Sequence, residues 1–330
     1  LVETPEVRVL IDPGIAVMQP SFPASIAKKL YWYERGRMAI KRAAKKADVV
    51  VISHYHYDHF TDFDRGLYEG KLLLAKNPNE YINDSQRERA EQFFENYCRA
   101  FGKRKLEEFV EEKPQPRDYP NPLEEIPRAA EKDFGDYNRR RRELLELGLK
   151  WFRNRVSRWN RACKIPELEF GKNKVLFPEG KELRFGRTRL RFTKPLFHGI
   201  EFSRVGWVFA TVVQRNKEKF MHSSDLSGIY IEDYAELIIK ENPTVLVLDG
   251  PPTYMGFMLI KTNLKRCVDN TCRVIRESSN LELLIYDHHL LREKLYRKRT
   301  EPVWETAERE GVKALTAAEY LGKTPVIDTC

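Results

Sequence analysis

The stretch Val49-Val50-Val51-Ile52-Ser53-His54-Tyr55-His56-Tyr57-Asp58-His59 decides how this chain is read. Its first four residues are an unbroken apolar run, which predicts a buried strand. Three of the chain's seven histidines and one aspartate follow within six positions, 54 to 59. A strand ending in imidazoles and a carboxylate places them at its carboxyl edge, where α/β proteins build their sites. Imidazole nitrogen suits zinc, iron, manganese or nickel, and carboxylate oxygen bridges ions or completes a shell.

Working outward, Val7 to Ile11 predicts a short strand closed by the turn Asp12-Pro13-Gly14. Residues 25–47 predict a helix with basic residues on its open face. Thr61 to Tyr68 opens a further helix, and Lys71 to Ala75 reads as a strand. From about residue 77 to 166 strand patterns vanish. Asn83-Asp84-Ser85 offers an N-cap for a helix running towards Glu112. Pro114, Pro116, Pro120, Pro122 and Pro127 then break the chain into a loop, and Tyr137 to Lys164 predicts a second helix. That helix carries ten basic residues against two acidic ones, net +8 in a chain of net +9. The positive charge is therefore strongly local, which suits a polyanion as partner without requiring one.

After Lys172 the strand patterns return. Lys174 to Phe177, a hairpin over Leu183–Phe192 turning at Gly186, Val205 to Val213 and Lys219 to His222 are the candidates. An amphipathic helix at 231–241 precedes the apolar run Thr244 to Leu248, which ends in Asp249-Gly250-Pro251-Pro252. A helix over 261–278, a strand over 281–286 and a short closing helix at 316–320 complete the chain.

The remaining histidines fall on the same pattern. His198, His222 and the pair His288-His289 each stand at or just after an apolar strand-like run, and residues 77–166 contain none. A chain using histidine as a surface residue would have scattered some into its helices.

His-x-His-x-Asp-His after a hydrophobic strand resembles the signature of the metallo-β-lactamase superfamily, here of a little-characterised archaeal branch. The likeness covers residues 1–76 and about 167–330, with 77–166 expected as an inserted basic helical subdomain. It implies an α/β fold, the αββα sandwich of two mixed sheets flanked by helices. It also implies two divalent metal ions, zinc by default, with manganese, iron and nickel open. His54, His56 and His198 would hold one ion. Asp58, His59 and His288 or His289 would hold the other, with Asp225 bridging both and Asp58 also moving protons. Asp12 would brace the loop, and His222 is left to the second shell or the core. His289, Tyr254, Arg140 and Arg141 are the candidate substrate contacts.

The implied function is metal-dependent hydrolysis by a hydroxide shared between the two ions. A phosphodiester, RNA or DNA, is one substrate class, resting on the basic segment, although the further motifs of the large nuclease branch are missing. Small esters, lactones or thioesters are the alternative, and an iron-dependent redox or sensor protein is a third. The chain has no apolar run long enough to span a membrane. Its five cysteines form no CxxC pair, which fits reduced thiols in a cytoplasmic protein. Cys267 and Cys272 are expected on a helix surface. The start at Leu1, within a strand pattern, leads us to expect sequence upstream. Oligomeric state is left open.

Overall fold

The computed structural model describes residues 1–330 apart from Lys113 and residues 256–260. One mixed sheet contains β1 (Val2–Glu3), β2 (Arg8–Ile11), β3 (Val49–Ile52), β4 (Leu72–Ala75), β5 (Leu168–Phe170) and β6 (Asn173–Leu176), in the order β1-β2-β3-β4-β6-β5. A short pair joins β9 (Leu196–Phe197) to β10 (Trp207–Val208). The second sheet uses β7 (Glu182–Phe185), β8 (Thr188–Phe192), β11 (Thr211–Arg215), β12 (Glu218–His222), β13 (Val245–Asp249), β14 (Leu283–Asp287) and β15 (Lys313–Leu315). Its order is β15-β14-β13-β12-β11-β8-β7. The principal helices are α1 (Ile26–Lys46), α2 (Arg65–Tyr68), α3 (Asp84–Tyr97), α4 (Pro127–Ala130), α5 (Asn138–Arg161), α6 (Glu232–Glu241) and α7 (Lys261–Glu277).

The alternation of side chains along β3 explains why both of its faces are apolar. Val49 and Val51 join Val9, Leu74, Leu190, Phe192, Phe209 and Val213 in the core between the two sheets. Val50 and Ile52 face the other way, into a larger cluster shared with the helices. This is the αββα arrangement expected from the resemblance. The apolar residues of α3 and α5, including Phe93, Phe94, Phe152 and Trp159, belong to the same large cluster as Tyr55, Phe60 and Trp207.

Several boundaries differ from expectation for local reasons. The helix starting at Asn83 ends at Tyr97 and continues only as a wide turn to Gly102. Lys103 there is left-handed (φ 54°), which stops the helix. The run Val205 to Val213 is two strands, because the chain crosses between sheets at Phe209 and Ala210. Trp207 and Val208 pair with β9, whereas Phe209 enters the core between the sheets. Thr61 to Tyr68 forms only the single turn α2. Cys267 and Cys272 do lie on one helix, α7, but on its buried side, and both are free thiols. No helix among the described residues is long and apolar enough to cross a membrane.

Candidate metal centre

Parallel pairing gathers the polar strand ends at one edge. β2 and β3 run parallel, so Asp12 and Ser53 emerge together. β12, β13 and β14 also run parallel, with Asp249 in register with Asp287. That delivers Ser223-Ser224-Asp225, Asp249 and His288-His289 to the same edge of the second sheet. His198 follows β9, and its amide donates to the Gly206 carbonyl at 3.0 Å.

The side chains converge as two sets around Asp225. His54 Nε2 is 3.1 Å from His56 Nδ1 and 3.5 Å from Asp225 Oδ2, and His198 Nε2 is 3.6 Å from that same oxygen. On the other side, Asp225 Oδ1 lies 2.8 Å from His59 Nε2 and 3.3 Å from His288 Nε2. His288 Nε2 stands 3.2 Å from His59 Nε2 and 3.6 Å from Asp58 Oδ2. Each oxygen of one buried carboxylate thus serves a different imidazole set.

The donors fit divalent ions. Metal–nitrogen bonds of about 2.0–2.1 Å in a tetrahedral shell place ligand atoms about 3.3 Å apart, close to the separations here. Protonation favours the same conclusion for the first set. Burial holds His54 below its usual range, aided by the charge of His59, and holds His56 down to about 2. Burial likewise pushes His198 well below the histidine range. Such shifts favour neutral imidazoles, each of which has one lone pair to offer an ion. Burial works against the charge of Asp225, yet His59, His288 and His289 keep it well into the carboxylate form.

A second layer fixes these rings. Asp12 accepts from the Ser53 amide at 2.8 Å and the Ser53 hydroxyl at 2.6 Å, and its Oδ2 lies 2.9 Å from His59 Nδ1. Ser53 Oγ is also 3.1 Å from His54 Nδ1 and 2.6 Å from Ser224 Oγ. Both His59 and His54 are thereby held on one ring nitrogen and turn the other inward. His222 is half-buried behind this layer, and its Nδ1 accepts from the Ser224 amide at 3.2 Å. Three residues on ligand-bearing turns, Asp12 (φ 47°), Ser224 (φ 57°) and His288 (φ 60°), are left-handed without being glycine. Such strain persists only where surrounding contacts enforce it.

Of the pair left open by sequence, His288 stands in the ring of inward nitrogens. His289 Nδ1 is engaged by Asp249, 3.0 Å from Oδ1 and 2.9 Å from Oδ2. Asp249, Asp225, His288 and His289 still form one close group of donors. Tyr254 reaches the site indirectly, its hydroxyl 3.3 Å from Arg292 Nη1.

Of the two arginines expected to contact substrate, Arg141 is turned into the protein and Arg140 faces solvent. Arg141 is buried, donating to the Ala129 and Ala130 carbonyls and pairing with Glu201 at 2.9 Å, so its guanidinium is engaged inside the protein. Arg140 is exposed and pairs with Glu143 one turn along α5. A tetra-arginine run wraps a helix, so neighbouring members face in different directions.

Sequence reasoning missed Gln86, Arg89 and Arg292. Gln86 and Arg89 lie on α3, inside the 77–166 segment. Gln86 Oε1 accepts from the Tyr55 amide at 3.2 Å, and Arg89 donates to the Tyr55 carbonyl at 3.1 Å. Gln86 Nε2 donates to Val205 O at 2.8 Å and lies 3.3 Å from His56 Nε2. This segment therefore grips the histidine loop. No local pattern marks a buried glutamine as such a clamp, because its partners are 31 and 119 positions away.

The fold and these clustered histidines and aspartates are those of the metallo-β-lactamase superfamily, whose model, described as "Metallo-beta-lactamase superfamily", matches residues 1–137. The chain belongs to the UPF0282 family of archaeal proteins. It is 31% identical to the UPF0282 protein of Methanocaldococcus jannaschii over 98% of this chain and 86% of that one. The UPF0282 protein of Methanopyrus kandleri is also 31% identical, over 98% of this chain and 88% of its own length. Among solved structures, the metallo-beta-lactamase fold protein YhfI from Bacillus subtilis aligns over 95% of this chain and 85% of that one, at 11% identity and a TM-score of 0.39.

Proposed function

We propose that this chain is a metal-dependent hydrolase of phosphodiesters, with nucleic acid as the substrate class. The observation that carries the reading is Asp225, whose two oxygens each face a separate imidazole set. His54, His56 and His198 would hold one divalent ion. Asp58, His59 and His288 would hold a second, and Asp225 would be shared. Bound there, such ions supply Lewis-acid polarisation of a phosphoryl oxygen and activation of water at neutral pH.

The chain's own groups handle protons and position. Asp58, kept ionised despite burial by the charges of His59 and His288, offers a carboxylate oxygen to the proton leaving the attacking water. His289, held through Nδ1 by Asp249, keeps Nε2 for the departing oxygen. The choice of phosphodiester rests on α5. Gly148 of that helix packs on the Phe202 side chain, and Trp151 stacks on Trp207 at 5.4 Å, so the basic helix borders the loop that carries His198. A polyanion lying on Arg139, Arg140, Arg142 and Arg153 would run beside the centre.

The test is a metal count followed by turnover of bis(p-nitrophenyl) phosphate, short RNA and DNA, and p-nitrophenyl acetate. We expect phosphodiester cleavage that chelators abolish, and nucleic-acid affinity that falls with salt and with Arg139, Arg140 and Arg142 changed to Ala. Cleavage of the carboxyl ester alone, by metal-replete protein, would overturn the substrate reading and favour small esters.

A further inference from the structure

Arg292 is a cation that reaches into the centre. It follows His288 by four positions, and its guanidinium, which has no acceptor, cannot itself hold a metal ion. Its Nη2 donates to Asp58 Oδ2 at 2.9 Å and lies 3.2 Å from His288 Nε2. Its Nη1 is 3.3 Å from the Tyr254 hydroxyl, and the guanidinium carbon stands 5.6 Å over the Tyr254 ring. Gln19 donates to its carbonyl at 3.2 Å and ties its backbone to the loop after β2.

The partners of Nη2 are the telling feature. Asp58 Oδ2 and His288 Nε2 are the atoms that the donor set turns towards an ion, so an ion would compete for both lone pairs. The guanidinium cannot respond by losing its proton. A half-buried cation deprived of its counter-charge is costly, and an aromatic face replaces only part of the loss. Arg292 therefore calls for an external anion on the side of the centre next to Asp58. Its fork of N–H donors matches the paired oxygens of a phosphoryl or carboxylate group.

We propose that Arg292, seated on Tyr254, is the anion-recognising residue of this site and takes the non-bridging oxygens of a phosphoryl group beside the bond to be cut. The assignment rests on the hydrolase reading above and narrows it: the substrate carries its negative charge at the reacting centre, not only along α5.

The experiment uses the metal-loaded full chain, with inorganic phosphate and acetate as probes and calorimetry as the readout. Metal content is measured for each variant. Phosphate should bind wild type, and Arg292→Ala should weaken it by about tenfold or more, the size expected for lost charge-assisted hydrogen bonds. Arg292→Lys should recover part of the affinity, and metal content should stay at the wild-type level. Phosphate affinity in Arg292→Ala within about twofold of wild type would overturn the proposal. So would loss of metal in that variant, which would reduce Arg292 to a support for Asp58. Acetate binding more tightly than phosphate would overturn the phosphoryl assignment. Phosphate held through Arg292 by a protein that cleaves no phosphodiester would keep the anion site and remove the reaction. Phosphodiester cleavage with unchanged KM in Arg292→Ala would do the reverse.

Discussion

Asp12 Oδ2 lies 2.9 Å from His59 Nδ1, although 47 positions separate the two residues. The same carboxylate also holds Ser53 through its amide and its hydroxyl. One side chain at the end of β2 thus sets both the start of the histidine loop and the orientation of its last ring. His59 Nε2 is left to face Asp225 and His288.

Changing Asp12 to Ala should therefore loosen one ion more than the other. Outer-shell partners of metal-bound histidine typically control about 10–100-fold in metal affinity. We expect that loss at the site of Asp58, His59 and His288, with the site of His54, His56 and His198 less affected. Stepwise metal titration reads this directly. Equal weakening of both steps, or of neither, would remove Asp12 from its bracing role.

Gly14 is where the turn after β2 meets the histidine loop. A Cβ placed there would stand 2.3 Å from the backbone of His59 and Phe60. Backbone cannot swing aside as a long side chain can, so Gly14→Ala must push the two loops apart. Overpacking costs about 1–3 kcal/mol or more. The variant should unfold at lower denaturant and bind metal less tightly. A melting curve identical to wild type would show that the loops are not in contact as described.

Gln86→Ala tests the grip of α3 on the loop. The glutamine is fully buried, and its removal leaves the Tyr55 amide without a partner, while the Val205 carbonyl keeps only Asn83 Nδ2 at 2.7 Å. An unsatisfied buried amide costs about 1–3 kcal/mol. We expect loss of stability together with weaker metal binding, seen in parallel denaturant and metal titrations. Stability lost with metal affinity intact would confine Gln86 to folding.

The pH dependence of stability should carry the signature of Glu201. This carboxylate pairs with Arg141 at 2.9 Å and with Arg266 at 2.6 Å, and Arg266 also reaches Glu232 at 2.6 Å. Burial raises the proton affinity of Glu201, but the Arg266 hydrogen bond and charge outweigh it, so its pKa lies below the usual value. A carboxylate with a lowered folded pKa contributes stability that is full above its unfolded pKa, near about 4.3. That contribution is lost as pH falls through the lower, folded value. Removing one member of a buried pair costs about 3–5 kcal/mol. The gap in unfolding free energy between wild type and Glu201→Gln should therefore be largest at neutral pH and shrink in acid. A gap that stays constant as pH falls would exclude ionisation of Glu201 as its source.

Much of the architecture was legible because it is written locally. The run from Val49 to Ile52 is apolar on every residue, so it announces a strand covered on both faces, and β3 has exactly one sheet and one helical layer to cover it. The single turn α2 and the division at Phe209 were not legible. There, composition favoured longer elements, and long-range packing ended them. Arg141 shows the same limit. Its type and position in a basic run favour solvent, while a carboxylate 60 residues away draws it inward.

The sequence by itself determined the donor chemistry: which residues could bind metal, and that they stand at strand ends. Strand patterns and residue types are local, and one residue after another records them. Only the tertiary structure decided which atoms face one another. It separated His288 from His289 by giving the second to Asp249. It also divided the oxygens of Asp225 between two imidazole sets, brought Gln86 under the loop, and set Arg292 against Asp58. The physical reason is that a ring's free nitrogen is chosen by what holds the other nitrogen, and those partners come from distant strands.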